Sequence, residues 1–131
     1  MNMKNVVAMV VTVGLLFSAC LKNVDNGAFI SILSPYHFSV INNADKTDFL
    51  IAFSTNGGDL YDVRVKAYPK NNVNDKVFDR EVRPDVSLYL FVEEVDLSRF
   101  PPGTGFIIVA EADRDPRGKS RIIETAEFSI R

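Results

Sequence analysis

Apolar and polar residues alternate along most of this chain. The clearest segment is Tyr61 to Tyr68, where Tyr61, Val63, Val65 and Ala67 alternate with Asp62, Arg64, Lys66 and Tyr68. Successive side chains of a strand point to opposite faces, so the pattern predicts a strand with one wet face. The same reading predicts strands over Phe29 to Val40, interrupted by Ser34-Pro35, and over Asp48 to Ser54, Val77 to Val82, Val86 to Val92, Gly105 to Ala112 and Arg121 to Ile130. Turn-forming residues separate them: Asn42-Asn43, Asn56-Gly57-Gly58, Arg83-Pro84-Asp85, Pro101-Pro102-Gly103 and Pro116-Arg117-Gly118. From Ala28 onward no helical apolar stripe occurs. Parallel strands need crossover helices, for which there is no room, so the expected fold class is all-β, a seven-stranded antiparallel β-sandwich. The alternation assigns Ile30, Ile32, Phe49, Ile51, Phe53, Val63, Val65, Leu88, Leu90, Phe106, Ile108, Phe128 and Ile130 to its interior. Each such side chain contributes roughly 1.5–3 kcal/mol on burial, against a chain entropy of similar total size.

The first residues depart from this pattern. Val6 to Phe17 is an unbroken apolar run, preceded by Lys4 and closed by the small pair Ser18-Ala19. That is the charged, apolar, small-residue order of a secretory signal. A transmembrane helix needs about 20 apolar residues. Only 17 uncharged residues separate Lys4 from Lys22, and the strongly apolar part is 12, so the reading is a cleaved signal. The residue after the small pair is Cys20, and Phe17-Ser18-Ala19-Cys20 resembles the lipobox of bacterial lipoproteins, with Phe17 where Leu is commonest. The resemblance implies diacylglyceryl transfer to the Cys20 thiol, cleavage before it, and a lipid anchor. Acyl chains contribute about 0.8 kcal/mol per buried methylene, so two or three make release negligible. Leu21, rather than Asp, follows the cysteine; by the same resemblance this implies the outer membrane, at its periplasmic face or the cell surface. The expected organisation is a lipoprotein signal peptide at 1–19, the lipidated Cys20 and a tether at 20–27, and one domain at 28–131. A flexible tether of seven residues spans about 15 Å.

Composition then narrows the classes. The chain has 131 residues, 47% hydrophobic and 24% charged, with a net charge of −2 and a single Cys. A normal apolar fraction with small net charge excludes a disordered chain, and one cysteine excludes a disulfide-stapled fold. A pI near 5.3 excludes a polybasic nucleic-acid binder. Removing the first 19 residues leaves 112 and a net charge of −3. Gly105 to Asp113, then Pro116-Arg117-Gly118, then Ala126 to Ile130 resemble the last two strands of bacterial immunoglobulin-like and fibronectin type III-like domains. With the early Ser34-Pro35, the chain looks like the small immunoglobulin-like lipoproteins of Gram-negative bacteria, which implies an Ig-like β-sandwich over 28–131. It departs from antibody domains in having no Trp and no disulfide, and in carrying Phe106 near the place of the corner Tyr.

Candidate chemistry is sparse. His37 is the sole imidazole, and no G-x-S-x-G motif accompanies it; it reads as a strand-edge residue. Glu93-Glu94 and Asp96 read as a solvated strand end. Asp113 to Gly118 begins like a calcium loop, D-x-D-x-x-G, but Arg117 takes the third ligand place and Arg114 stands beside it, so the segment reads as a turn. No catalytic residue, metal site or cofactor is expected. In an Ig-like order the last hairpin shares a pole with the tether, which makes Arg114, Arg117, Lys119 and Arg121 candidates for contact with acidic head groups. Tyr89, Phe91, Ile107, Val109 and Ile123 fall on predicted outer faces and are candidates for partner binding. The expected function is a membrane-anchored, non-enzymatic binding or adhesion module for a protein or glycan. The alternative is a structural subunit of an envelope or fimbria-like assembly built by strand addition.

Overall fold

The computed structural model describes residues 27–42, 46–118 and 120–131. The expected signal peptide, Cys20 and nearly all of the tether lie outside the described residues. The described elements are eight strands: β1 (Ala28–Ser34), β2 (Ser39–Ile41), β3 (Thr47–Thr55), β4 (Asp62–Pro69), β5 (Phe78–Val82), β6 (Leu88–Val95), β7 (Gly105–Asp113) and β8 (Ile122–Ile130). They form two sheets, a three-stranded one in the order β1-β3-β6 and a five-stranded one in the order β2-β8-β7-β4-β5. The eighth strand is a correction to the expected seven. Phe29 to Val40 is two strands in different sheets, because Pro35 has no N–H to donate to a ladder and the backbone turns at Phe38, whose φ is +62°. β1 pairs antiparallel with β3, whereas β2 pairs parallel with β8.

Alternation packs the two sheets face to face. β4 buries Val63, Val65, Ala67 and Pro69 and leaves Asp62, Arg64, Lys66 and Tyr68 half-buried, as its sequence predicts. In β6 the register is opposite to the expected one. Phe91 pairs with Ile51 and Tyr89 with Phe53, and facing partners share a side. Phe91 and Tyr89 therefore turn toward the core, while Leu88 (36% exposed) and Val92 (45% exposed) turn outward. Leu-Tyr-Leu-Phe-Val is apolar at every position, so its own alternation does not choose a face; the fixed inward set of the central strand β3 does.

Phenylalanines occupy the place of a core Trp and disulfide. Phe49 meets Phe78 edge-on at 4.9 Å and Phe128 at 5.7 Å; Phe106 stacks on Phe128 at 4.9 Å and meets Phe100 edge-on at 5.0 Å. These contacts join strands of both sheets, and each contributes about 0.5–1.5 kcal/mol beyond its buried area. Loop residues seal the ends: Leu60 and Leu97 are fully buried. Backbone hydrogen bonds define two poles. Asn56 N to Gly27 O, Leu60 N to Val86 O and Tyr61 N to Asp113 O gather the chain entry and the β3–β4, β5–β6 and β7–β8 connections at the proximal pole. Lys70 N to Gly105 O, Gly103 N to Ile130 O and Arg131 N to Ile41 O gather the others at the distal pole.

Candidate functional site

The segment that crosses between the sheets is the least buried aromatic part of the domain. After the cis Ser34-Pro35 peptide, Ser39 N donates to Tyr36 O at 3.0 Å, which closes a turn with Phe38 at its third position. Positive φ at that position favours glycine, and a bulky residue there stores strain of about 1–3 kcal/mol. Two contacts with β8 hold it: Phe38 N donates to Glu127 O at 2.6 Å, and Glu127 N donates to His37 Nδ1 at 3.0 Å. The imidazole thus accepts through Nδ1 and lies against the Phe38 ring, with centroids 3.7 Å apart. The backbone is satisfied while the rings stay outside: Tyr36 is 66% exposed and Phe38 73%.

Beside the turn, Phe38, Ser39, Lys70, Gly105, Glu127 and Phe128 line an open cleft of about 130 Å³. Lys70 Nζ donates to Glu127 Oε2 at 2.5 Å. Gly105 permits this: a Cβ there would stand 3.2 Å from Lys70 Cδ, on the path of the stem that carries the ammonium to Glu127. Ser39, on the same wall, is 7% exposed, and its hydroxyl has no hydrogen-bond partner among the described residues. One ion-paired cation and anion beside the exposed Phe38 ring suit an uncharged polar ligand with an apolar face. The distal pole has a second cleft, of about 290 Å³, between Asn71, Asp75, Arg99 and Pro101. There Arg99 pairs with Asp75 at 3.0 Å and lies over the buried Phe100 ring at 4.0 Å, and no exposed aromatic side chain lines it.

The residues singled out in the sequence are scattered. Phe91 and Tyr89 belong to the core side of β6. Ile107, Val109 and Ile123 do face outward on the five-stranded sheet, but Val109 is 8% exposed between its cross-strand partners Lys66 and Thr125. Ile107 is half-buried and Ile123 stands open at 55%. Arg114, Arg117 and Arg121 share the proximal hairpin; Lys119 and Cys20 lie outside the described residues. Arg117 pairs with Asp115 at 3.3 Å, Arg121 approaches Asp113 at 3.7 Å, and Arg114 is turned inward, its terminal nitrogen 3.3 Å from where a Cβ on Gly58 would stand. Asp113 Oδ1 accepts from Asp115 N and Ser120 Oγ, each at 2.9 Å, and Asp115 Oδ1 accepts from Arg117 N at 2.8 Å. That N–H holds the Asp115 carboxyl below its ordinary range, with the Arg117 side chain adding to the effect. The D-x-D pattern therefore builds two consecutive Asx turns. Among the described residues no group of three or more His, Cys, Asp or Glu is placed to hold a metal ion. Glu93 and Glu94 separate to Arg80 and Lys46, and Asp96 accepts from Ser98 N. The aromatic turn escaped the sequence reading, although Tyr36-His37-Phe38 directly after a proline breaks the alternation visibly.

No family model and no curated protein matches the sequence. Among solved structures, the domain is similar to a chain in the complex of zinc 2-glycoprotein with prolactin inducible protein from human seminal plasma. The TM-score is 0.54 at 9% identity, over 84% of this chain and 99% of that one. It also aligns with a protein assigned as a beta-galactosidase from Bacteroides fragilis, with a TM-score of 0.40 and 15% identity, over 76% of this chain but only 15% of the other. The first likeness shows the fold: an all-β immunoglobulin-like sandwich.

Proposed function

We propose that this chain is a bacterial lipoprotein anchored through Cys20, whose immunoglobulin-like domain is a non-enzymatic binding module. The observation that carries the binding half is the aromatic turn. Exposed Tyr and Phe side chains on a backbone held by three hydrogen bonds lose little entropy on contact, which is what a binding surface needs. The anchor half rests on the lipobox-like Phe17-Ser18-Ala19-Cys20, which implies an outer-membrane location. The short tether supports a domain held with its proximal pole toward the bilayer and its aromatic turn nearer the distal end. Two experiments test the reading. Cys20→Ala should abolish palmitate labelling and release the protein from the membrane fraction; retention of both overturns the anchor. Full-length protein should bind immobilised envelope protein or glycan fractions, and the Tyr36→Ala plus Phe38→Ala double variant should not; equal binding overturns the module.

One observation favours a second reading, assembly by strand addition. β6 is an edge strand of eight residues without proline, carrying exposed Leu88 and Val92, and such an edge accepts another strand. A stoichiometric complex from solubilised membranes would favour it, and a monomer would exclude it.

A further inference from the structure

We propose that the cleft between the aromatic turn and the Lys70–Glu127 pair is a carbohydrate site that takes one uncharged sugar ring. The inference rests on the binding-module reading and names its ligand. The recognition chemistry has three parts. Phe38 lines the cleft and is 73% exposed, and Tyr36, on the same turn, is 66% exposed. An aromatic face is electron-rich, and the C–H face of a pyranose is its natural counterpart. Lys70 and Glu127 stand together at the cleft as a cation and an anion. Neighbouring hydroxyls of a sugar accept from an ammonium and donate to a carboxylate at once, whereas a ligand of either net charge meets one attraction and one repulsion. Ser39 and Gly105 line the same cleft with little or no side chain, which leaves the ring room to enter.

Size separates this ligand from a folded protein. A volume of about 130 Å³ is below the roughly 300–1,000 Å³ of pockets for drug-sized molecules, so it accommodates one ring. A stable protein interface needs roughly 800 Å² per partner, far beyond two side chains and a cleft. The Phe38 backbone points the same way, since a bulky residue held at φ +62° is costly to keep where glycine would relax it, and strain of this kind gathers at ligand-binding positions.

The test is binding of the full-length protein, in detergent, to an array of neutral oligosaccharides built from glucose, galactose, mannose and N-acetylglucosamine. Binding is expected to at least one of these, weakened tenfold or more by Tyr36→Ala and by Phe38→Ala, retained by Phe38→Trp, and weakened by Glu127→Gln. Unchanged thermal melting of the Tyr36→Ala variant confirms that the fold is intact. Array binding that ignores both alanine substitutions overturns the assignment to this cleft. Absence of array binding overturns the sugar; a parallel peptide-display selection then decides the wider reading. Tyr36-dependent peptide enrichment leaves the binding module standing, and absence of both removes it.

Discussion

The β7–β8 hairpin and the β1–β2 turn are both short connections at the rim of the same sandwich, yet they use their side chains in opposite ways. The hairpin carries the charges: Asp113, Arg114, Asp115, Arg117 and Arg121. Its carboxylates are consumed internally, with Asp113 2% exposed and accepting two hydrogen bonds and Asp115 folded onto Arg117, while Arg121 approaches Asp113 and the Arg117 side chain stays 75% exposed. The turn is held by backbone groups and one imidazole, and leaves its large rings unused. Buried groups a fold needs for itself are poor candidates for a ligand, because engaging them first breaks what they hold, whereas the half-exposed Lys70–Glu127 pair costs little to open. This weighs against Asp113 and Asp115 as ligand-facing groups.

Asp113→Ala tests the hairpin half of the contrast and should have the largest effect. It leaves Ser120 Oγ and Asp115 N without their acceptor and Arg121 without its nearest carboxylate. The expected loss is about 2–3 kcal/mol in denaturant unfolding. A loss under about 0.5 kcal/mol would mean that the hairpin is no more self-consuming than the turn. Phe38→Gly tests the other half, with opposite sign. The ring buries little, while glycine removes an αL penalty of about 1–2 kcal/mol and adds back about 0.5–1 kcal/mol of chain entropy. Stability should rise by about 0.5–1 kcal/mol while array binding is lost. A destabilised variant would show that the ring packs for the fold.

The same contrast explains what was legible in the sequence. β4 was readable because Val63, Val65 and Ala67 alternate with Arg64 and Lys66, so only one face suits the core. β6 was not, because Leu88 to Val92 is apolar on both faces and the choice is made by pairing with β3. Leu60 and Leu97 lie in connections, where period two has no meaning, although they plug the two ends. The Asp-Arg-Asp run begins like a calcium loop but reads as a turn once Arg114 and Arg117 are counted, and it serves as one. The aromatic turn is hidden in the sequence because Ser34-Pro35 reads as an interruption of one strand. That the interruption moves the chain to the other sheet is a tertiary fact, fixed by parallel pairing of Ser39 to Ile41 with β8.

A subtler test concerns Asp62, which pairs with Asp113 across β4 and β7. Burial holds its carboxyl above the ordinary range, and Glu81 adds to this; Oδ1 has no partner among the described residues. Between the unfolded and the raised folded value, the native state therefore binds the proton more tightly than the unfolded chain does. The associated stability is complete below the unfolded value near 3.9 and is lost as pH rises through the folded one. Asp62→Asn should be the more stable protein at pH 7, by less than about 0.5 kcal/mol because solvent screens a half-buried group, and indistinguishable from the parent at about pH 3. Equal stability at both would show that Asp62 is as open to water as the turn.

Arg117→Ala should do least to stability and most to define the limits of the contrast. Its side chain is 75% exposed, and exposed pairs contribute about 0–1 kcal/mol, less in salt. The Asx turn it caps is made by its backbone N–H, which alanine retains. The expected change is a few tenths of a kcal/mol at most, diminishing as salt is raised. Arg117 is thus the one hairpin arginine whose removal tests a membrane role without disturbing the fold. With the acyl chains absent, the Arg117→Ala variant should bind vesicles of acidic lipid as the parent does. A loss of vesicle binding at unchanged stability would place a ligand-facing group in the hairpin, and self-consumption would no longer separate the two regions.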